Sequence, residues 1–286
     1  MISVLLGVCA ALSWSIHDIV ARSLAARVGP FRMAALVMVA GGLLLSGLVV
    51  TSETLRTASP ATLLLAASLG LAYGFGVAGL FKAFSLGPVT VVAPLTAAYP
   101  ILVVLWGIFH GLAPTPLQWA ASAIALAGAF VVARFGHADS GINTVKRGDL
   151  PKLAGYCLLS AAGYAAAVVL GQSAAVRIGE VEATWLSRPV ALISIAPFLW
   201  GERRPAPLAF RHWWGIFAMG GLDVIGVVAV NAAGRYPDAE FAAIGISSYG
   251  AMAVILALLF LREKVALAQW GGILLITVGV TVLSLA

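Results

Sequence analysis

This sequence has too little charge to clothe a water-soluble protein. Asp, Glu, Lys and Arg make up 10% of its 286 residues, while hydrophobic residues reach 62% and mean hydropathy is +1.04. A typical soluble domain is about a quarter charged and about half apolar. The charges are also missing in blocks: none falls within Met33–Ser52, Thr57–Phe81, Leu153–Val176, Phe241–Leu261 or Val265–Ala286. A hydrocarbon layer about 30 Å thick takes roughly 20 helical residues, so each block is long enough to cross it. The run Ala83–Ala133 is equally bare, and "HGLAPTP" (His110–Pro116) divides it into two spans. Cysteine is scarce too. Cys9 and Cys157 both sit in apolar runs, which excludes a disulfide scaffold. No CxxC or His-rich spacing is present, so neither a metal nor a cofactor is expected. HExxH and intramembrane Ser–His signatures are absent, which argues against an enzyme. The N-terminus lacks a basic n-region and runs straight into a full-length span, so a cleavable signal peptide is not expected. The pI near 9.7 does not indicate nucleic acid, because the basic residues lie in short loops at span ends.

What is present reads as an all-α membrane protein with ten transmembrane helices. They are expected near Ile2–Ser23, Pro30–Val50, Ala61–Phe84, Pro88–Phe109, Thr115–Phe135, Pro151–Val176, Val181–Trp200, His212–Gly234, Asp238–Leu261 and Lys264–Leu285. Short loops leave no room for a soluble catalytic domain. The longest polar connection, residues 136–150, separates a first five-helix unit (1–135) from a second (151–286). The units read as copies. "ARSLAARVG" (Ala21–Gly29) aligns with "GQSAAVRIG" (Gly171–Gly179) at an offset of 150, and "LQW" (Leu117–Trp119) returns as "AQW" (Ala268–Trp270) at 151. Of the 17 Lys and Arg residues, 13 follow odd-numbered spans. The positive-inside rule then puts those loops in the cytoplasm and both termini outside, with a cell (inner) membrane location. Because five is odd, the copies enter the membrane in opposite senses. Two inverted five-helix repeats with a site between them form a transporter architecture.

Two segments carry a family likeness: "GPVTVVAPLTAAYPILVVLWGIFHGLAPTPLQWAASAIALAGAFVV" (Gly87–Val132) and "AEFAAIGISSYGAMAVILALLFLREKVALAQWGGILLITVGVTVL" (Ala239–Leu283). Each resembles the closing part of an EamA domain of the drug/metabolite transporter superfamily. A helix with small residues and Pro or Gly is followed by a short turn, then a Gln-bearing start to a glycine-containing last helix. The second copy keeps an acid at Glu263, where the first has His110–Gly111. The resemblance covers nearly the whole chain and implies a 5+5 bundle exporting small metabolites, most similar to the amino-acid exporter branch.

The offset also selects candidate site residues. It pairs Trp14 with Tyr164, Tyr99 with Tyr249 and Tyr73 with Asp223, all near the middle of their spans. Residues related by a two-fold axis in the membrane plane converge if they face it. Aromatic residues in membrane proteins usually form interfacial belts, which suits Trp106, Trp119, Trp200, Trp213, Trp214 and Trp270 near span ends. Mid-depth aromatics instead suggest a lined cavity or hydrogen bonds between helices. Asp18 can pair with Arg22 at i, i+4, while His17 is expected on nearly the face of Trp14. Arg188, Asp223 and Asn231 are expensive intramembrane polar groups that need a partner or a cavity. Pro94 and Pro100 interrupt the fourth span where Gly245 and Gly250 occupy the ninth, and Ser247 lies beside that interruption. These four are hinge candidates. The expected ligand is a small neutral or aromatic amino acid or similar amphipathic metabolite, exported by alternating access. Protons are a candidate coupling partner through His17, Asp18 or Asp223, and the lipid bilayer is the solvent. Two alternatives stay open: an exporter of other metabolites or drugs, and a non-transporting membrane subunit.

Overall fold

The computed structural model describes residues 1–86, 92, 96, 99–135, 147–200, 202, 208–261 and 266–286. Among these there is no strand. The first half holds α1 (Ile2–Val28), α2 (Pro30–Val49), the one-turn α3 (Glu53–Arg56), α4 (Pro60–Leu86), α5 (Tyr99–Phe109) and α6 (Pro116–Phe135). The second holds α7 (Leu150–Ile178), α8 (Glu180–Leu199), α9 (Phe210–Ala232), α10 (Phe241–Ile246), α11 (Tyr249–Leu261) and α12 (Leu267–Leu285). Seven helical stretches are each long and apolar enough to cross a membrane, with α10 and α11 together making one of them. The apolar α5 and α6 are shorter. α8 is 20 residues long but carries Glu180, Glu182 and Arg188. The fold is a ten-span helical membrane protein built as two inverted five-helix repeats.

The two-fold relation shows in the packing. α4 lies along α7 as α9 lies along α1; α4 also packs on α8, and α9 on α2. The pairs α2·α8 and α6·α12 map onto themselves when the halves exchange. The most extensive helix contacts all join one half to the other, so the repeats interleave. Lipid offers no hydrophobic drive for helix association, and close approach of backbones must supply the contact. At the α4–α7 crossing, a Cβ on Gly163 would lie 2.6 Å from the Gly76 backbone nitrogen. At the α6–α12 crossing, a Cβ on Gly128 would lie 2.7 Å from the Gly272 oxygen, and one on Gly279 2.7 Å from the Ala121 oxygen.

The repeated sequence motifs have local causes. Gly29 and Gly179, 150 residues apart, adopt φ of 82° and 101° with ψ of 148° in both, and each starts the following helix. Glycine meets that conformation without a Cβ penalty. The helix before each turn therefore runs up to it, which is why α1 extends to Val28 where the sequence suggested Ser23. The "LQW" and "AQW" repeats are helix caps. Gln118 accepts from the Thr115 backbone N–H at 2.9 Å, and Gln269 from that of Ala266 at 2.8 Å. Replacing Gln118 or Gln269 with Ala should each lower stability by about 1 kcal/mol. The check is thermal unfolding in detergent, where an unchanged midpoint in both variants would remove the capping account.

The ninth span departs from the expected continuous Asp238–Leu261 helix. It breaks into α10 and α11 at Ser247 and Ser248, whose hydroxyls donate to the carbonyls of Ile244 (2.6 Å) and Gly245 (2.7 Å). Such local bonds compete with the helical ladder. The start of the fourth span, with Pro94, and linker residues 136–146 lie outside the described residues.

Candidate functional site

Three polar side chains from three helices meet near the midpoints of their spans. Arg188 (α8) is 2% exposed and Asp223 (α9) 4%. Arg188 Nη1 lies 2.6 Å from Asp223 Oδ2. Tyr73 (α4) donates its hydroxyl to Asp223 Oδ1 at 2.8 Å, and the Arg188 guanidinium carbon sits 5.6 Å from the Tyr73 ring centroid. An isolated charge at this depth is costly, and mutual pairing with additional hydrogen bonds is what makes it tolerable. Arg188 Nη1 also contacts Met38 Sδ at 3.1 Å. Both Tyr73–Asp223 and Met38–Arg188 are separated by 150 residues. Equivalent positions of the two repeats therefore touch, so the pseudo-two-fold axis passes through this cluster.

The aromatic residues extend it. The Tyr73 and Tyr164 ring centroids are 6.1 Å apart, and those of Tyr164 (α7) and Tyr99 (α5) 5.9 Å. Edge and tilted contacts at such spacing are favourable for the ring quadrupoles. Trp14 and Tyr164 occupy equivalent grooves. A Cβ on Gly226 would lie 2.8 Å from Trp14 Nε1, and one on Gly76 would lie 2.9 Å from a Tyr164 ring carbon. Trp14, Tyr99, Tyr164, Tyr73 and Tyr249 are all only half-buried, although each belongs to the middle of a span. Trp14 Nε1 is buried with no hydrogen-bond partner.

A second polar group joins α1 to α11. Tyr249 donates its hydroxyl to Asp18 Oδ2, and His17 Nδ1 lies 2.9 Å from Asp18 Oδ1. The Tyr249 hydroxyl holds the Asp18 carboxylate where the neighbouring imidazole can reach it, so Asp18 has partners besides the Arg22 that the i, i+4 spacing suggested. Ser15 Oγ reinforces this seam by donating to the Tyr249 carbonyl at 3.1 Å. The side chain of Arg22 lies outside the described residues.

The remaining candidates are placed elsewhere. Asn231 is 1% exposed and donates to Thr184 Oγ1 at 3.0 Å, linking α9 to α8. It lies eight residues beyond Asp223, about 12 Å along the helix, and is not brought to the charged cluster. Ser247 uses its hydroxyl on its own backbone. Gly245 packs against α1, where a Cβ would collide with the Val4 carbonyl. A Cβ on Gly250 would lie 3.5 Å from a Val132 methyl, and Pro100 is buried as the second residue of α5.

Sequence reasoning missed Met38, although adding the repeat offset to it lands on Arg188. It also missed Trp185, whose Nε1 donates to Ser46 Oγ at 3.0 Å, and Glu202, which caps α2 through the Phe31 and Arg32 N–H groups. The Lys82 Nζ lies 5.6 and 5.8 Å from the Phe31 and Phe198 ring centroids, both at helix ends. The end-of-span tryptophans Trp200 and Trp214 are 93% and 74% exposed, as lipid-interface residues would be.

A sequence model described as "EamA-like transporter family" matches residues 1–134 and 152–285. A solved crystal structure superposes on the chain with a TM-score of 0.81 at 22% sequence identity, covering 99% of this chain and 96% of its own; that likeness speaks for the fold alone. No match is found among curated proteins.

Proposed function

Because this chain belongs to the EamA-like transporter family, multi-pass membrane transporters of the drug/metabolite type rather than enzymes, we propose that it exports small amphipathic metabolites, foremost neutral or aromatic amino acids. The observation that carries this reading is the mid-depth row of half-buried aromatic side chains ending on one buried ion pair. Such a wall suits an apolar side chain, and a single Arg–Asp pair suits a solute with little net charge. A phosphorylated solute would call for several converging cations, whereas Arg188 is the one Lys or Arg more than a turn inside a span as drawn from the sequence. Alternating access is driven by rocking of one repeat against the other around this site. Pro100 and the break between α10 and α11, flanked by Gly245 and Gly250, are the places where bending is cheapest. Both termini lie on the extracytoplasmic side of the cell (inner) membrane, because the basic loops prefer the cytoplasm. His17 and Asp18 are the groups that a proton gradient would address, and flux with and without that gradient decides the coupling.

The test is solute uptake by proteoliposomes holding the purified protein. Tyr99→Ala and Tyr249→Ala should each lower uptake of an aromatic amino acid about tenfold, the equivalent of one lost aromatic contact. Both variants should still be produced and inserted. Wild-type rates in both would overturn the site assignment.

A further inference from the structure

Arg188 uses only part of its guanidinium. Nη1 is committed to Asp223 and Met38, whereas Nε and Nη2 are buried without a hydrogen-bond partner. These two nitrogens share one edge of the planar group, and their N–H bonds run parallel. That edge is the fork to which a carboxylate binds through both oxygens. The opposite side is held by the ion pair, and the guanidinium carbon sits 5.6 Å from the Tyr73 ring centroid. The fork is therefore oriented before any ligand arrives, in a setting 2% exposed to solvent. Unpaired buried donors are unfavourable, so an acceptor that completes them is bound with an advantage that water cannot match.

Asp223 is in the opposite condition. Oδ1 receives the Tyr73 hydroxyl and Oδ2 faces Arg188. Each oxygen already has a neighbour, and the carboxylate charge is already offset by Arg188, which lowers the gain from adding an ammonium group. A dianion would meet one cation with a carboxylate beside it, which disfavours phosphate. A flat monoanion fits.

We propose that Nε and Nη2 of Arg188 form a carboxylate subsite, which makes the solutes apolar monocarboxylates and leaves the amine of an amino acid dispensable. The proposal rests on the reading of this cluster as the transport site. Asp223 acts as a positioning residue that holds the guanidinium edge-on, and the tail of the solute runs along Tyr73, Tyr164 and Tyr99.

The probes are L-phenylalanine, 3-phenylpropionate and L-phenylalaninamide, tested for counterflow in proteoliposomes and for thermal stabilisation of the detergent-solubilised protein. The wild type should prefer both acids over the amide at least about tenfold, as expected where buried donors are left unpaired by the wrong ligand. Arg188→Lys keeps the charge but lacks the fork, so this preference should fall to about twofold or less. The double variant Arg188→Met with Asp223→Asn removes both charges together and should accept the amide as well as the acids. Equal handling of acid and amide by the wild type overturns the subsite and leaves transport standing. Strong selectivity retained in Arg188→Lys overturns it as well. A need for the amine, seen as failure of 3-phenylpropionate beside active L-phenylalanine, overturns the claim about Asp223. Acid-selective stabilisation without flux of any probe overturns the carrier reading while the subsite stands.

Discussion

Asp223→Ala is expected to lose most of its folded yield, with a destabilisation of about 3–5 kcal/mol. Removal of the carboxylate strands Arg188 as an unpaired charge at 2% exposure and leaves the Tyr73 hydroxyl without its acceptor. The lost attraction is the smaller part of the effect; the larger part is a cation that stays buried with nothing to offset it. The ordering of variants follows from this. Asp223→Asn keeps an oxygen for Tyr73 and should be milder than Ala. Pairing Asp223→Asn with Arg188→Met removes the stranded charge and should recover much of the loss, because exchanging a whole buried pair is often close to neutral. Thermal unfolding and size-exclusion profiles in detergent measure the series. If Asp223→Ala alone proves as stable as the double variant, the pair is not the buried link that the geometry describes.

Gly7→Val is expected to pull α1 away from α10, at a loss of about 3 kcal/mol or more. A Cβ on Gly7 would collide with the Ala242 carbonyl, and one on Gly245 with the Val4 carbonyl. The two glycines interlock the helices in both directions, and all the colliding atoms are backbone. A rotamer change cannot relieve such a clash, so a helix must move. Gly271→Ala is the control, because nothing lies within 4 Å of its added carbon. Gly245→Ala additionally separates the hinge and packing readings of that residue. As a packing residue it loses stability and flux together; as a hinge it would lose flux with the unfolding temperature unchanged. A stable, fully active Gly7→Val would remove the close-approach account of the α1–α10 contact.

Much of the architecture was legible because it follows from one-dimensional properties. Block-wise absence of charge marks spans, and the repeat offset marks two copies of five. The repeat offset carries more than it promised: Gly29 and Gly179 share one positive-φ turn, and Gln118 and Gln269 share one capping bond. The offset even picked out Tyr73 and Asp223, which hydrogen-bond to each other. Less legible were features set by competition between neighbours. Two serine hydroxyls cut the ninth span in two, and Tyr249 draws Asp18 into reach of His17.

The amino-acid order by itself determined that this chain lives in lipid, crosses it about ten times and does so as two inverted copies. Transfer free energy and helix length act on each span separately, so no knowledge of neighbours is needed. Only the tertiary structure decided which polar groups satisfy one another. Arg188, Asp223 and Asn231 looked equivalent as expensive intramembrane residues, yet two of them form an ion pair on the pseudo-axis and the third ties two helices together some turns away. That outcome depends on angstrom-scale distances across helices far apart in sequence, where a hydrogen bond is either made or lost.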